Sequence, residues 1–191
     1  VAGSGEAGGG LGAYAGDGRP ALEALLNGPR DLAVDRRRHI VYVADTDNHR
    51  VRAVNVGTSS QTVCGQSIGP GSIATVAGAG EAGSDLQDET PAASAKFRSP
   101  GAVAVDGMGN LFIADTGNHR VLKVYTANGL FRKIAGTGQP QPASDPLQDG
   151  GPAREANITS PRDLVVDTVG NVFIAAASFR VRKVDNFHGA I

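Results

Sequence analysis

Short aliphatic runs recur along the chain, each preceded by proline and closed by aspartate: Leu-Ala-Val before Asp35, Ala-Val-Ala-Val before Asp106, and Leu-Val-Val before Asp167. Continuous apolar runs of this length predict strands buried on both faces. A second run follows each, at 40–44, 111–114 and 172–175, again rich in β-branched and aromatic side chains. Gly107, Gly109 and Asn110 separate the two runs in the second unit, and Gly170 and Asn171 in the third, so each pair predicts a hairpin. A third run, at 50–54, 120–125 and 180–184, alternates valine with arginine, lysine or alanine. Period two predicts one buried and one solvated face. The fourth, at 73–77 and 130–135, is reached through Gly71 or Gly129 and ends in Val-Ala-Gly or Ile-Ala-Gly.

Four antiparallel strands joined by short connections, repeated, describe an all-β protein built as a β-propeller of four-stranded blades. The units run at about 1–75, 76–133 and 134–191. Residues 55–69 read as a loop present in the first unit alone. A second kind of loop recurs in every unit, as Asp17-Gly-Arg-Pro-Ala, Asp88-Glu-Thr-Pro-Ala and Asp149-Gly-Gly-Pro-Ala. Proline followed by Ala21, Ala24 and Leu26, or by Ala92, Ala95 and Phe97, or by Ala153, Ala156 and Ile158, predicts a single helical turn with its apolar side against the blade.

Composition narrows the use of this array. The formal net charge of −1 offers no field for a polyanion or a membrane surface, so nucleic acid is not indicated. The lone Cys64 excludes an internal disulfide. No apolar run reaches the length of a membrane span. Nucleophile-elbow, phosphate-cradling and paired-carboxylate patterns are missing, and Gly8-Gly-Gly10 opens no parallel βαβ unit.

Pro-x-x-Leu/Val-Ala/Val-Val-Asp, followed by Tyr/Phe-Val/Ile-Ala-Asp-Thr-x-Asn-His-Arg-Val at 42–51 and 112–121, resembles the NHL repeat. The resemblance is eroded in the third unit, where Ala176 and Phe179 replace the aspartate and histidine and the turn is one residue shorter. It implies a propeller of usually six blades, of which this chain would supply three, or half a ring. Val1-Ala-Gly aligns with the end of a fourth strand and Gly189-Ala-Ile191 with the start of one, so an excerpt of a longer array is expected. The alternatives are a half propeller that closes with a second copy and an open filament.

The turns between second and third strands and the long Asp-Gly-Pro loops are expected on one rim, the candidate binding surface. Its residues are Asp45, Asn48, His49 and Arg50 in the first unit and Asp115, Asn118, His119 and Arg120 in the second. Asp45 with Arg50, and Asp115 with Arg120, are expected to bracket each turn and bind its spare backbone groups. Blade stitching is one reading of the motif. The other, implied by NHL-type lyases that hold zinc on histidines from several blades, is a metal or ligand site. No close His/Glu or Cys/His spacing completes such a site here.

Asp17, Asp88 and Asp149 are candidates for calcium, against a plainer role in Asx turns beside glycine. No cofactor is otherwise expected, calcium and zinc being the metals in question. Arg36-Arg-Arg38 is a basic tip on the opposite rim; RNA-binding NHL proteins imply phosphate contact there, but no aromatic residue interleaves the charges. Asn157-Ile-Thr159 is an N-glycosylation acceptor pattern. Together these indicate a non-catalytic propeller scaffold, extracellular or at a cell surface, that engages a protein or glycan partner or builds an extended assembly. The competing class is part of a six-bladed metal-dependent lyase or hydrolase.

Overall fold

A computed structural model describes residues 1–5, 14–84, 87–140, 149–177 and 179–191. In the first unit, β1 (Pro29–Asp35), β2 (Ile40–Asp45) and β3 (Arg50–Asn55) form a meander. A small hairpin, β4 (Gln61–Val63) and β5 (Gln66–Ile68), follows, and β6 (Ile73–Ala77) then pairs with β3. The second unit begins with the short β7 (Thr90–Pro91). It continues with β8 (Ala102–Val105), β9 (Leu111–Asp115), β10 (Arg120–Tyr125) and β11 (Leu130–Ala135). The third holds β12 (Pro161–Val166), β13 (Val172–Ala176) and β14 (Arg180–Val184), with a bridge between Pro152 and Ala190 where the second unit has β7 beside β11. Every ladder is antiparallel, and the first strand of each unit occupies one edge of its sheet.

These inner strands lie side by side, β8 between β1 and β12, and the sheets stack face to face as propeller blades do. Three sheets leave the ring open. Alternation along the strands divides the apolar residues between seams. Tyr42, Ala44 and Ala53 of the first sheet meet Val103, Leu111, Ile113, Val124 and Phe131 of the second. Phe112, Ala114 and Val121, on the other face of the second, meet Leu164, Val172, Ile174 and Val184 of the third. Each large aliphatic or aromatic side chain buried this way contributes about 1.5–3 kcal/mol.

The first strand is buried on both faces in β8 alone. Leu32 of β1 is 62% exposed and Val165 of β12 is 59% exposed, because only the middle sheet has a neighbour on each side. Residues 55–69 are likewise not simply a loop. Val63 and Ile68 are fully buried against the first seam, and Cys64-Gly65 turns with φ of 51° and 78°, the left-handed pair that a two-residue hairpin requires.

The helical turns take the expected places. Ala21–Glu23 and Ala92–Ser94 are single 3-10 turns after Pro20 and Pro91, with Ala21 and Ala92 buried. In the third unit Ala153, Ala156 and Ile158 are buried without a helix forming.

Candidate functional site

Each Asp-Thr-x-Asn-His turn is a 3-10 turn, Thr46–Asn48 or Thr116–Asn118, closed by a histidine in left-handed conformation, at φ 55° for His49 and 52° for His119. The aspartate at its start is wholly buried. Asp115 accepts from the backbone N–H of Arg98 at 2.8 Å, from Asn118 Nδ2 at 2.9 Å and from Arg120 Nε at 2.8 Å. Asp45 accepts from the Asn27 N–H at 2.7 Å and from Asn48 Nδ2 at 2.9 Å. Burial pushes both carboxyls above the usual range, against the pull of these donors.

The arginine beside the carboxylate differs between the two units. Arg52, whose counterpart in the second unit is Leu122, lies 3.5 Å from Asp45, while the Arg50 guanidinium stacks over the Tyr14 ring at 3.9 Å. A fully buried guanidinium on β3 therefore takes the position beside the carboxylate that Arg120 fills in the second sheet.

The threonine and histidine of the motif cross to the next sheet. His49 Nδ1 accepts from the Ser99 N–H at 3.1 Å, and His119 Nδ1 from the Ser160 N–H at 3.0 Å. Thr46 Oγ1 donates to the Pro100 carbonyl at 2.8 Å, and Thr116 Oγ1 to the Pro161 carbonyl at 2.6 Å. The same four atoms thus join the first sheet to the second and the second to the third. Burial, reinforced by the Arg98 charge, lowers the His119 pKa, consistent with a ring nitrogen that must stay unprotonated to accept. Gly78 and Gly136 pass so close that a Cβ at either would sit 2.4 Å from the carbonyl of His49 or His119; their φ values of 94° and 93° suit glycine in any case.

Other seam residues carry weak sequence signals. Asp31 Oδ1 accepts from its neighbour Leu32 N–H at 2.8 Å and Oδ2 from the Val103 N–H of the next sheet at 2.8 Å. Asp163 in the third sheet makes the same first contact, with Leu164 N–H at 2.8 Å, and its position lies on the open face. The Pro-Arg-Asp that opens β1 and β12 was the available signal. On the opposite rim the basic tip reaches the second sheet: Arg37 Nη1 donates to the Gly107 carbonyl at 2.9 Å and Arg38 Nη1 to that of Gly109 at 3.3 Å, while Arg38 also pairs with Asp35.

The three loop aspartates each face a cation. Asp17 lies 2.6 Å from Arg52 Nη2, Asp149 lies 2.6 Å from Arg182 Nη2, and Asp88 pairs with Arg154 and accepts from the Lys133 N–H at 2.8 Å. Among the described residues no group of three or more histidine, cysteine, aspartate or glutamate side chains could hold a metal ion. Asn157 is half-buried and its Oδ1 accepts from Thr137 Oγ1 at 2.7 Å. Gly8-Gly-Gly10 lies outside the described residues.

The family model described as NHL repeat matches residues 26–53 and 97–124, the two units with complete turns. NHL repeat-containing protein 2 of Bos taurus is 31% identical over 105 residues, covering 52% of this chain and 12% of that protein. Protein SUPPRESSOR OF QUENCHING 1, chloroplastic, of Arabidopsis thaliana is 27% identical over 117 residues, covering 61% of this chain and 10% of that protein. The chain therefore spans about a tenth of the length of these curated relatives. Among solved structures, an auxiliary nutrient binding protein from Bacteroides thetaiotaomicron aligns with a TM-score of 0.57 and 18% identity, over 80% of this chain and 36% of that one. At that identity the likeness is one of fold.

Proposed function

Because this chain is an NHL-repeat protein, we propose that it serves as a non-catalytic propeller scaffold, three blades of a six-bladed ring whose rim engages a protein or glycan partner. One observation carries the reading: the threonine Oγ1 and histidine Nδ1 atoms of the Asp-Thr-x-Asn-His turns are spent between blades, on Ser99, Pro100, Ser160 and Pro161. A histidine whose Nδ1 already accepts a backbone N–H is committed to structure. Asp45, Asn48, His49 and Arg50, with Asp115, Asn118, His119 and Arg120, then shape the rim, and a partner reads the surface they hold in place.

The open faces support continuation of the array. Val165 and Val181 of the third sheet, the latter 72% exposed, lie where Ala104 and Val121 of the second meet the third. A further blade, from this polypeptide or a second copy, would cover them. The site of action in this reading is extracellular or at a cell surface.

Elemental analysis of the full-length protein, combined with capture of partners through a photo-crosslinker placed at the exposed Asp47, tests the proposal. A scaffold would carry no stoichiometric zinc or calcium and would crosslink to a protein or glycan. A stoichiometric metal without a crosslinked partner would favour the lyase or hydrolase class.

A further inference from the structure

The two seams differ at one corresponding place. On the first sheet, Tyr42, Ala53 and Ala74 are cross-strand neighbours on the face toward the second sheet. The β4–β5 hairpin covers that row: Val63 and Ile68 join the same buried cluster, and the Cys64 N–H donates to the Thr126 carbonyl at 2.8 Å in the turn after β10. On the second sheet the corresponding row is Phe112, Lys123 and Arg132. No hairpin is inserted there, since β10 runs to β11 through a tight turn. The space it would occupy is a cleft of about 450 Å³, closed by the third sheet and by the turn at 185–189, the counterpart of the turn that Cys64 touches.

Its walls combine charge with apolar surface. Lys123, Arg132, Lys133 and Arg154 line it, together with Phe112, Tyr125, Val172 and Val184. The Lys123 ammonium lies 5.1 Å from the Phe112 ring centroid and 5.4 Å from that of Tyr125. Acidic groups answer some of this charge: Asp106 is 3.5 Å from Lys123, Asp88 pairs with Arg154, and Asp185 on the far wall pairs with Lys183 and His188. Arg132 and Lys133 make no ion pair among the described residues. Burial, with the adjacent Arg154 charge, lowers the Lys133 pKa, with Asp88 pulling the other way. A volume of this size between two packed sheets, with apolar surface and converging polar groups side by side, fits a small molecule.

We propose that this cleft between the second and third blades binds a small organic anion, a carboxylate or phosphate monoester with an aromatic or aliphatic body, with Lys123 and Arg132 on the anion and Phe112 and Tyr125 beside the body. The proposal is independent of the rim reading, since the cleft opens at the opposite end of these strands.

Phenyl phosphate titrated into the full-length protein by calorimetry is the test. Saturable binding is expected, weakened at least tenfold by Arg132→Glu and by high salt, and unchanged by Arg36→Glu on the basic tip. Arg132 is exposed and without an ion pair, so its reversal should leave the unfolding midpoint in place; Lys123→Met, checked the same way, should also weaken binding. Absence of saturation by about 10 mM, or indifference to both substitutions, overturns the site. Equal affinity for inorganic phosphate overturns the organic class. Binding of a hexaglutamate peptide in place of phenyl phosphate would overturn the small-molecule reading in favour of a polypeptide partner.

Discussion

A histidine that accepts a backbone hydrogen bond ties the seam to pH. His119 Nδ1 takes the Ser160 N–H, and its pKa is lowered by burial and by Arg98, with Asp115 opposing. In the unfolded chain a histidine titrates near 6.5. A depressed folded pKa means that its contribution to stability is full above about 6.5 and is lost as pH falls from there through the folded value. The thermal midpoint should therefore drop between about pH 7.5 and pH 5.5. His119→Asn, which tolerates the left-handed backbone and keeps an acceptor, should show a smaller drop. If both proteins fall in parallel, the histidine is not the titrating seam group. Asp115 acts by a different route. Its removal would leave the buried Arg120 guanidinium without its carboxylate, so Asp115→Ala should cost about 3–5 kcal/mol in urea unfolding. A loss under about 1 kcal/mol would mean that the Ser84 and Lys96 carbonyls suffice for Arg120.

At the scale of the element, the β4–β5 hairpin is the feature that distinguishes the first seam from the second. Ile68 is fully buried beneath it, so Ile68→Ala should destabilise by about 3 kcal/mol, against almost nothing for the exposed Thr62→Ala. Burial pushes the Cys64 thiol up to about 12, with Arg38 pulling the other way, so an aromatic disulfide reagent near pH 8 should label it slowly. Ile68→Ala should speed that labelling by loosening the hairpin, and equal rates would show that it opens independently of its core. The blade strands were legible because period and punctuation repeat together; Pro29, Pro100 and Pro161 announce the inner strand each time. The hairpin was not, because its apolar positions are few and Cys64 is an unusual residue for a left-handed turn. The rim turns were legible as a motif, but their hydrogen-bond partners sit some forty to fifty residues away, as with His49 and Ser99. That Arg52 lies beside Asp45 depends on two strands meeting in register, which no local pattern encodes.

At the scale of the whole molecule, both ends of the stack leave apolar side chains uncovered. Leu32 and Val34 are exposed at one end of the stack and Val165 and Val181 at the other. The two ends expose opposite blade faces, so association through them would run head to tail and need no two-fold axis. The 191-residue polypeptide at micromolar concentration should sediment as species larger than its 19.4 kDa monomer, and Leu32→Asp with Val181→Asp should return it to the monomer. A wild-type chain that sediments as a monomer throughout would show that these faces tolerate water. The same direction runs through the seams, where His49, Thr46, Asp31 and Arg37 all extend from the earlier blade to the later one. Each of the first two units consequently carries, in its own sequence, the hooks for its successor. A copied unit would bring half of a junction with it, whereas the third unit, with Ala176 and Phe179 where the first two have aspartate and histidine, carries no histidine hook of this kind.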